Sequence, residues 1–378
     1  MARLDEICTI NMGQSPDSSS YNNNGDGLPF FQGNADFGEI HPRVRVWCNS
    51  PTKIANPGDI LISVRAPIGA LNIADTQCCI GRGLAALTVD ESVCDRKYLW
   101  YTISGKVDEL NAKGTGSTFK AISKGILAET EIPIVPLEEQ KRIGMVLDRV
   151  FHLIALRKKQ LQKLDDLVKA RFVEIFGDPE FNTKGWPVQP LDKLCDVGSS
   201  KRIYQNEQSQ QGIPFWRVSD LVSKMDTGIA DSGLFIAEEI YLDLKKGGLV
   251  PVAGDILVTS RGTLGRCYII KEEDRFYFQD GMISWLSRFD KSITPLYLQY
   301  LFSMPGLRKQ IDRTQAGSTV AYLSIAMLKK LRVMVPSKGI QDHFSSFVFQ
   351  TDKSKKTIQQ SIEKLEILKQ SLMQQYFG

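Results

Sequence analysis

Apolar side chains along this chain follow two rhythms, and each is used twice. Across residues 1 to about 135, short runs such as Ile60-Leu61-Ile62 and Ala85-Ala86-Leu87-Thr88-Val89 alternate with polar clusters such as Ser18-Ser19-Ser20-Tyr21-Asn22-Asn23-Asn24-Gly25. That alternation predicts short strands joined by polar loops, with a helix near Arg96 to Lys106. From Glu138 the rhythm changes. Ile143, Val146, Leu147, Val150, Ile154, Leu161, Leu164, Val168, Phe172 and Ile175 recur at helical spacings, and no Gly interrupts them between Gly144 and Gly177. This predicts one long amphipathic helix with a heptad-like seam. After a second globular stretch, Ile358, Ile362, Leu365, Leu368 and Leu372 draw the same stripe, flanked by Lys353, Lys355, Lys356 and Lys364.

The globular stretches also repeat. Pro57-Gly58-Asp59-Ile60-Leu61-Ile62-Ser63-Val64-Arg65, then Gly69, matches Ala253-Gly254-Asp255-Ile256-Leu257-Val258-Thr259-Ser260-Arg261, then Gly265, at a displacement of 196 positions. Leu4-Asp5-Glu6-Ile7-Cys8 returns as Leu191-Asp192-Lys193-Leu194-Cys195, and Gly116-Ser117-Thr118 as Gly317-Ser318-Thr319. A period this long is a duplicated domain plus helix, because solenoid repeats run to only about 20 to 50 residues. Gly ahead of the central strand tolerates a positive φ, and the following Asp can bond back onto the turn backbone.

The expected fold is therefore α+β: two duplicated α/β domains separated by two long helices. A lone helix with a sustained apolar seam is unstable in water, so each helix is expected to pair with the other as an intramolecular coiled coil. A pseudo-twofold relation makes that coil antiparallel and puts a domain at each end. The expected segments are 1–136, a first helix at 137–177, 178–336, and a second helix at 337–378. About 30 residues of helix at ~1.5 Å each give a rod of about 45 Å, comparable to the ~34 Å turn of B-DNA.

A net charge of +4 neither demands nor forbids a nucleic-acid partner, so binding would have to come from local patches. Seven cysteines without a C-x-x-C fit a reducing compartment and small buried side chains. The start of the chain lacks the apolar run of a signal peptide, and no stretch approaches the ~18 apolar residues of a membrane span. A cytoplasmic location is expected.

Catalytic constellations are missing. The three histidines, His41, His152 and His343, are too scattered for a metal site or a triad. Gly114-Thr115-Gly116-Ser117-Thr118-Phe119-Lys120 lacks the Gly-Lys pair of a nucleotide-binding phosphate loop. Two readings of the Gly-Ser-Thr loops stay open. With Lys113 and Lys120 around the first copy, and Arg313 and Gln315 before Gly317, Ser318 and Thr319, they suit phosphate contact through N–H and O–H donors. They equally suit a structural turn. Arg65 and Arg261 end the matched strands and can either pair with a buried carboxylate, the slightly favoured reading, or point at DNA. Gln14, Asn34 and Arg82, with Lys201, Arg202, Arg217 and Arg266, have side chains that pair with guanine or adenine edges.

Taken together, these residues resemble the specificity subunit of Type I restriction-modification systems. The resemblance rests on the Pro-Gly-Asp-Ile-Leu-Ile-Ser strand, the Gly-Ser-Thr loop, and above all Ile132-Pro133-Ile134-Val135-Pro136-Leu137-Glu138-Glu139-Gln140-Lys141-Arg142-Ile143 leading into the long helix. It covers essentially the whole chain. The second copy, Val335-Pro336-Ser337-Lys338-Gly339-Ile340-Gln341, keeps the Pro and Gln and loses the Glu pair. The resemblance implies a non-catalytic subunit whose domains are target recognition domains, each reading one half of a bipartite double-stranded DNA target. It implies a coiled coil that sets the unread spacer and docks two methyltransferase subunits. Those would carry S-adenosylmethionine, and restriction/translocase subunits would use ATP and Mg, leaving no cofactor in this chain. The rival is a coiled-coil adaptor that joins proteins without touching DNA.

Overall fold

The computed structural model describes residues 1–116, 120–314 and 321–378. The chain divides into two compact units, Met1–Lys159 with Gln359–Gly378, and Gln160–Ile358.

In the first unit the turn before the central strand forms as its residues dictate. Gly58 has a φ of +90°, and buried Asp59 accepts the Asn56 backbone N–H at 2.8 Å. Strand Ile60–Ser63 then lies inside a four-stranded antiparallel sheet ordered Cys8–Met12, Leu84–Val89, Ile60–Ser63, Leu71–Ile73. Successive side chains point to opposite faces, so Ile60, Ile62, Ala85 and Leu87 enter one core and Leu61, Leu84 and Ala86 another. Both faces are covered, which is why these strands read as continuous apolar runs. The first core is completed by Tyr98, Leu99 and Ile103 of helix Arg96–Gly105 and by Ile143 and Leu147 of the first long helix, Leu137–Phe176. The second core adds Phe31, Ala55, Cys78 and Ile80 from a sheet in which Leu28–Phe31 runs parallel to Cys78–Ile80.

The second unit repeats this plan. Its sheet is ordered Asp196–Gly198, Ile283–Ser287, Ile256–Thr259, Cys267–Ile269, and Ile213–Trp216 runs parallel to Tyr277–Phe278. Gly254 has a φ of +91°, and Asp255 accepts the Val252 N–H at 3.0 Å and the Trp285 indole N–H at 2.9 Å. Burial pushes the Asp255 carboxyl above the usual range. The copies differ between the matched strands, where the second unit carries helices Val218–Thr227 and Glu238–Lys246.

The long helices, Leu137–Phe176 and Lys338–Phe377, pack antiparallel, and each is divided between the units. In the first unit Lys369 lies over the Phe151 ring at 5.4 Å, and Lys158 pairs with Glu366 at 3.2 Å. Phe377 meets Tyr98 edge-on with ring centroids 5.3 Å apart. In the second, Lys355 pairs with Asp165 at 2.6 Å, and Phe344 meets Phe172 and Phe176 edge-on, each with centroids 5.4 Å apart. The fully buried rings among these, Tyr98, Phe172, Phe176 and Phe344, each contribute about 1.5–3 kcal/mol by removal from water. One seam residue departs from expectation. Leu368 is 44% exposed, because the covered row runs through buried Ile362 and half-buried Leu365, Lys369 and Leu372 and leaves Leu368 about 100° round the helix.

The segments Pro136 to Gln140 and Pro336 to Gln341 fasten each long helix to its domain. Gln140 is fully buried; its amide donates to the carbonyls of Val93 at 3.1 Å and Val135 at 2.8 Å, and its oxygen accepts the Asp95 N–H at 2.9 Å. Gln341 does the same, donating to Ser292 at 2.7 Å and Pro336 at 2.8 Å and accepting from Thr294 N–H at 2.8 Å. Tyr98 and Tyr297 reinforce the junctions through hydroxyls on the Pro133 and Met334 carbonyls, at 2.9 and 3.0 Å. Glu138 and Glu139 only pair on the surface with Lys141 and Arg142. The second copy thus keeps the residue that fastens and loses two that do not.

Candidate nucleic-acid interface

The cysteines offer no reactive centre among the described residues. Six are buried and Cys267 is half-buried, and burial pushes the thiols of Cys8, Cys78, Cys94 and Cys195 up to about 12. His41 bonds the Ile73 carbonyl at 2.9 Å, whereas His152 and His343 lie within the long helices. No helix among the described residues is long and apolar enough to cross a membrane. Attention therefore passes to the cationic and amide side chains.

In the first unit, Asn34 and Arg82 line one depression of about 400 Å³ with Gln32, Arg45 and Arg65. Gln14 is exposed; its N–H donates to the Ile80 carbonyl at 3.0 Å and its own carbonyl accepts the Thr52 hydroxyl at 2.6 Å. Arg65 and Arg82 are exposed and have no ion pair among the described residues. Arg45 is engaged, by Asp36 and by the Ala35 carbonyl at 2.9 Å. Lys113 pairs with Glu109 at 2.7 Å, and the Lys113 and Lys106 ammonium groups together hold that carboxyl below its usual range. Lys120 is exposed and free of ion pairs among the described residues. Gly116 takes a φ of +123°, which a side chain would strain. Ser117 and Thr118 lie outside the described residues, as do Gln315, Gly317, Ser318 and Thr319.

The second unit treats its cations differently. Arg202 pairs with Asp280 at 2.9 Å, Arg217 with Asp220 at 3.6 Å, and Arg266 grips Asp226 through two guanidinium nitrogens, holding that carboxyl below its usual range. Lys201 and Arg313 are exposed without an ion pair among the described residues. A larger cleft of about 1120 Å³ is lined by Asp192, Asp196, Asp274 and Glu272 beside Lys245, Lys271 and Arg288. Its mixed charge does not suit a polyanion, and none of the candidate residues lines it.

The expected carboxylate pairing of Arg65 and Arg261 is not what forms. Arg65 has no carboxylate partner among the described residues, and Arg261 lies over the Tyr322 ring at 5.3 Å. Both follow a strand whose own Asp is spent on the preceding turn. Sequence reasoning did not single out Arg45, which lines the same depression as Arg65. The basic run Arg43-Val44-Arg45 was visible, but its folding back to Asp36 was not.

The family model for the Type I restriction modification DNA specificity domain matches residues 1–166 and again 183–366. Among similar proteins, the MjaX specificity subunit of Methanocaldococcus jannaschii is 44% identical over 160 residues, 42% of this chain and 38% of that relative's length. The EcoBI specificity subunit of Escherichia coli is 23% identical over 416 residues, 99% of this chain and 84% of that one. The solved structure of the Type I restriction-modification S subunit from M. genitalium superposes with a TM-score of 0.61 at 17% identity, covering 100% of this chain and 95% of that one, a likeness of fold. With one copy of the specificity domain matched to each half and little of the chain left over, this protein belongs to the family of Type I restriction-modification DNA specificity subunits.

Proposed function

We propose that each unit reads one half of a split double-stranded DNA target and that the paired helices set the unread spacer. The observation that carries this reading is one scaffold used twice with different cations on it. Both units share a sheet order and a helix fastening, whereas Asn34, Arg65 and Arg82 gather in the first and Lys201, Arg202, Arg217 and Arg266 stand on the second. Gln14, Lys113, Gly116 and Lys120, with Arg313, complete the described candidate contacts. A common scaffold holds the reader, and differing loops give differing half-sites. The helices would also dock two methyltransferase subunits that bind S-adenosylmethionine, and through them the ATP- and Mg-dependent restriction subunits, in the cytoplasm. Catalysis would belong to those partners.

The test is retardation of a randomised duplex library by the full chain with its methyltransferase partner, alongside methylome sequencing of cells expressing both. Selection of a bipartite sequence is expected. Retention of no sequence over another would favour the adaptor and overturn the reading.

A further inference from the structure

Arg65 and Arg82 raise a question that the fold alone does not answer. Strand Ile60–Ser63 pairs antiparallel with Leu84–Val89 so that Ser63 faces Leu84, and the Val64 N–H then reaches the Gly83 carbonyl at 2.9 Å. The ladder ends there: Arg82 lies in the turn closed by the Leu84 N–H on the Gly81 carbonyl at 3.0 Å, Arg65 bridges Ala121, and both side chains line the same depression. Like charges sharing one recess repel each other, and here no carboxylate among the described residues relieves them. The one acid lining the depression, Asp36, is already occupied by Arg45 and by the backbone N–H groups of Gln32 at 2.7 Å and Gly33 at 3.3 Å. The second unit lacks the arrangement. There, with the Ser260 N–H on the Met282 carbonyl at 2.9 Å, the position equivalent to Arg82 is Gly281, and Arg261 is drawn over Tyr322.

We infer that Arg65 and Arg82 form a clamp for one phosphate of the DNA backbone, a deepening that rests on the DNA-reading function proposed above. The ligand must offer acceptors, since both guanidinium groups are donors without an acceptor, and two like charges in one recess favour an anion. Shape chooses between the two anionic or acceptor-rich parts of a duplex. Base edges lie on the floor of a groove and are reached by a protruding side chain or helix, whereas phosphates ride on the outer ridges of the strands. Arg65 and Arg82 line a recess, which receives what projects. Asn34, at the same recess, can donate to a second phosphate oxygen. The clamp positions the first unit without carrying sequence information.

The test uses the full chain with its methyltransferase partner and its selected duplex, with Arg65→Gln, Arg82→Gln and the double variant measured from 50 to 200 mM salt. Because the two arginines share one phosphate, the double variant is expected to flatten the slope of log affinity against log salt by about 0.9, and each single variant by no more than that. Arg65→Lys and Arg82→Lys, which keep the charge, should retain the wild-type slope. Base preference in the library should not change. Relaxation at one base position with the slope intact would show base reading and overturn the clamp, as would unchanged slope and preference in the double variant. A wild-type complex without sequence selection would instead sink the DNA-reading function itself.

Discussion

Gln140 tests whether the long helix is held to its domain by a single buried amide. Replacing it with Leu keeps the side chain's approximate volume and removes every polar atom. The Val93 and Val135 carbonyls lose donors and the Asp95 N–H loses its acceptor; the Gln140 side chain is fully buried, whereas its three partners are only part-buried. An orphaned buried polar group costs about 1–3 kcal/mol, so three part-buried ones, each taken at the low end, give at most about 3 kcal/mol. Gln140→Glu should be comparably damaging, because a carboxylate faces two carbonyls without a proton to donate. Hydrogen exchange read by mass spectrometry reports the two units separately, and 3 kcal/mol corresponds to roughly a hundredfold faster exchange through opening of the affected unit. Gln140→Leu should accelerate exchange in Met1–Lys159 and Gln359–Gly378, and Gln341→Leu in Gln160–Ile358. Glu138→Gln with Glu139→Gln should change neither, since their ion pairs are exposed. Wild-type exchange in Gln140→Leu, within about twofold, would refute the fastening role.

Exchanging the first unit's globular part, about residues 1 to 135, for that of a homologue with another target should alter one half-site and leave the other alone; methylome sequencing showing both changed would mean joint reading. Lys120→Ala should weaken binding to all duplexes and lower the salt slope by about 0.9, whereas Lys113→Ala should do less because Lys113 is already paired with Glu109 at 2.7 Å; equal slopes for the two variants would contradict this ordering. One heptad inserted near Lys158-Lys159 and one near Ser361 should keep both seams in phase, lengthen the rod by about 10 Å, and extend the methylated spacer by up to about three base pairs. An active insertion variant that methylates the original spacer would show that the helices do not set the distance.

The duplication, the buried central strands and the two long helices were legible because they are periodic. A strand covered on both faces writes a continuous apolar run, as at Ile60-Leu61-Ile62, and a helix with one covered face writes a stripe, as from Ile143 to Phe172. The turn at Gly58-Asp59 was legible for a local reason, since the residues that need the special geometry adjoin the residue that supplies the hydrogen bond. Gln140 could be seen in a motif but not understood from it, because its partners stand 45 and 47 residues away. The cations were the least legible. Lys113 pairs with Glu109 four positions away on its own helix, but Arg202 and Arg266 looked as available as Arg82, and only the fold brought Asp280 and Asp226 to them and, among the described residues, no carboxylate to Arg82. Hydrophobic burial leaves its mark on neighbouring positions of the chain, whereas whether a charge is free or spent depends on a single distant residue, a relation that only the tertiary structure decided.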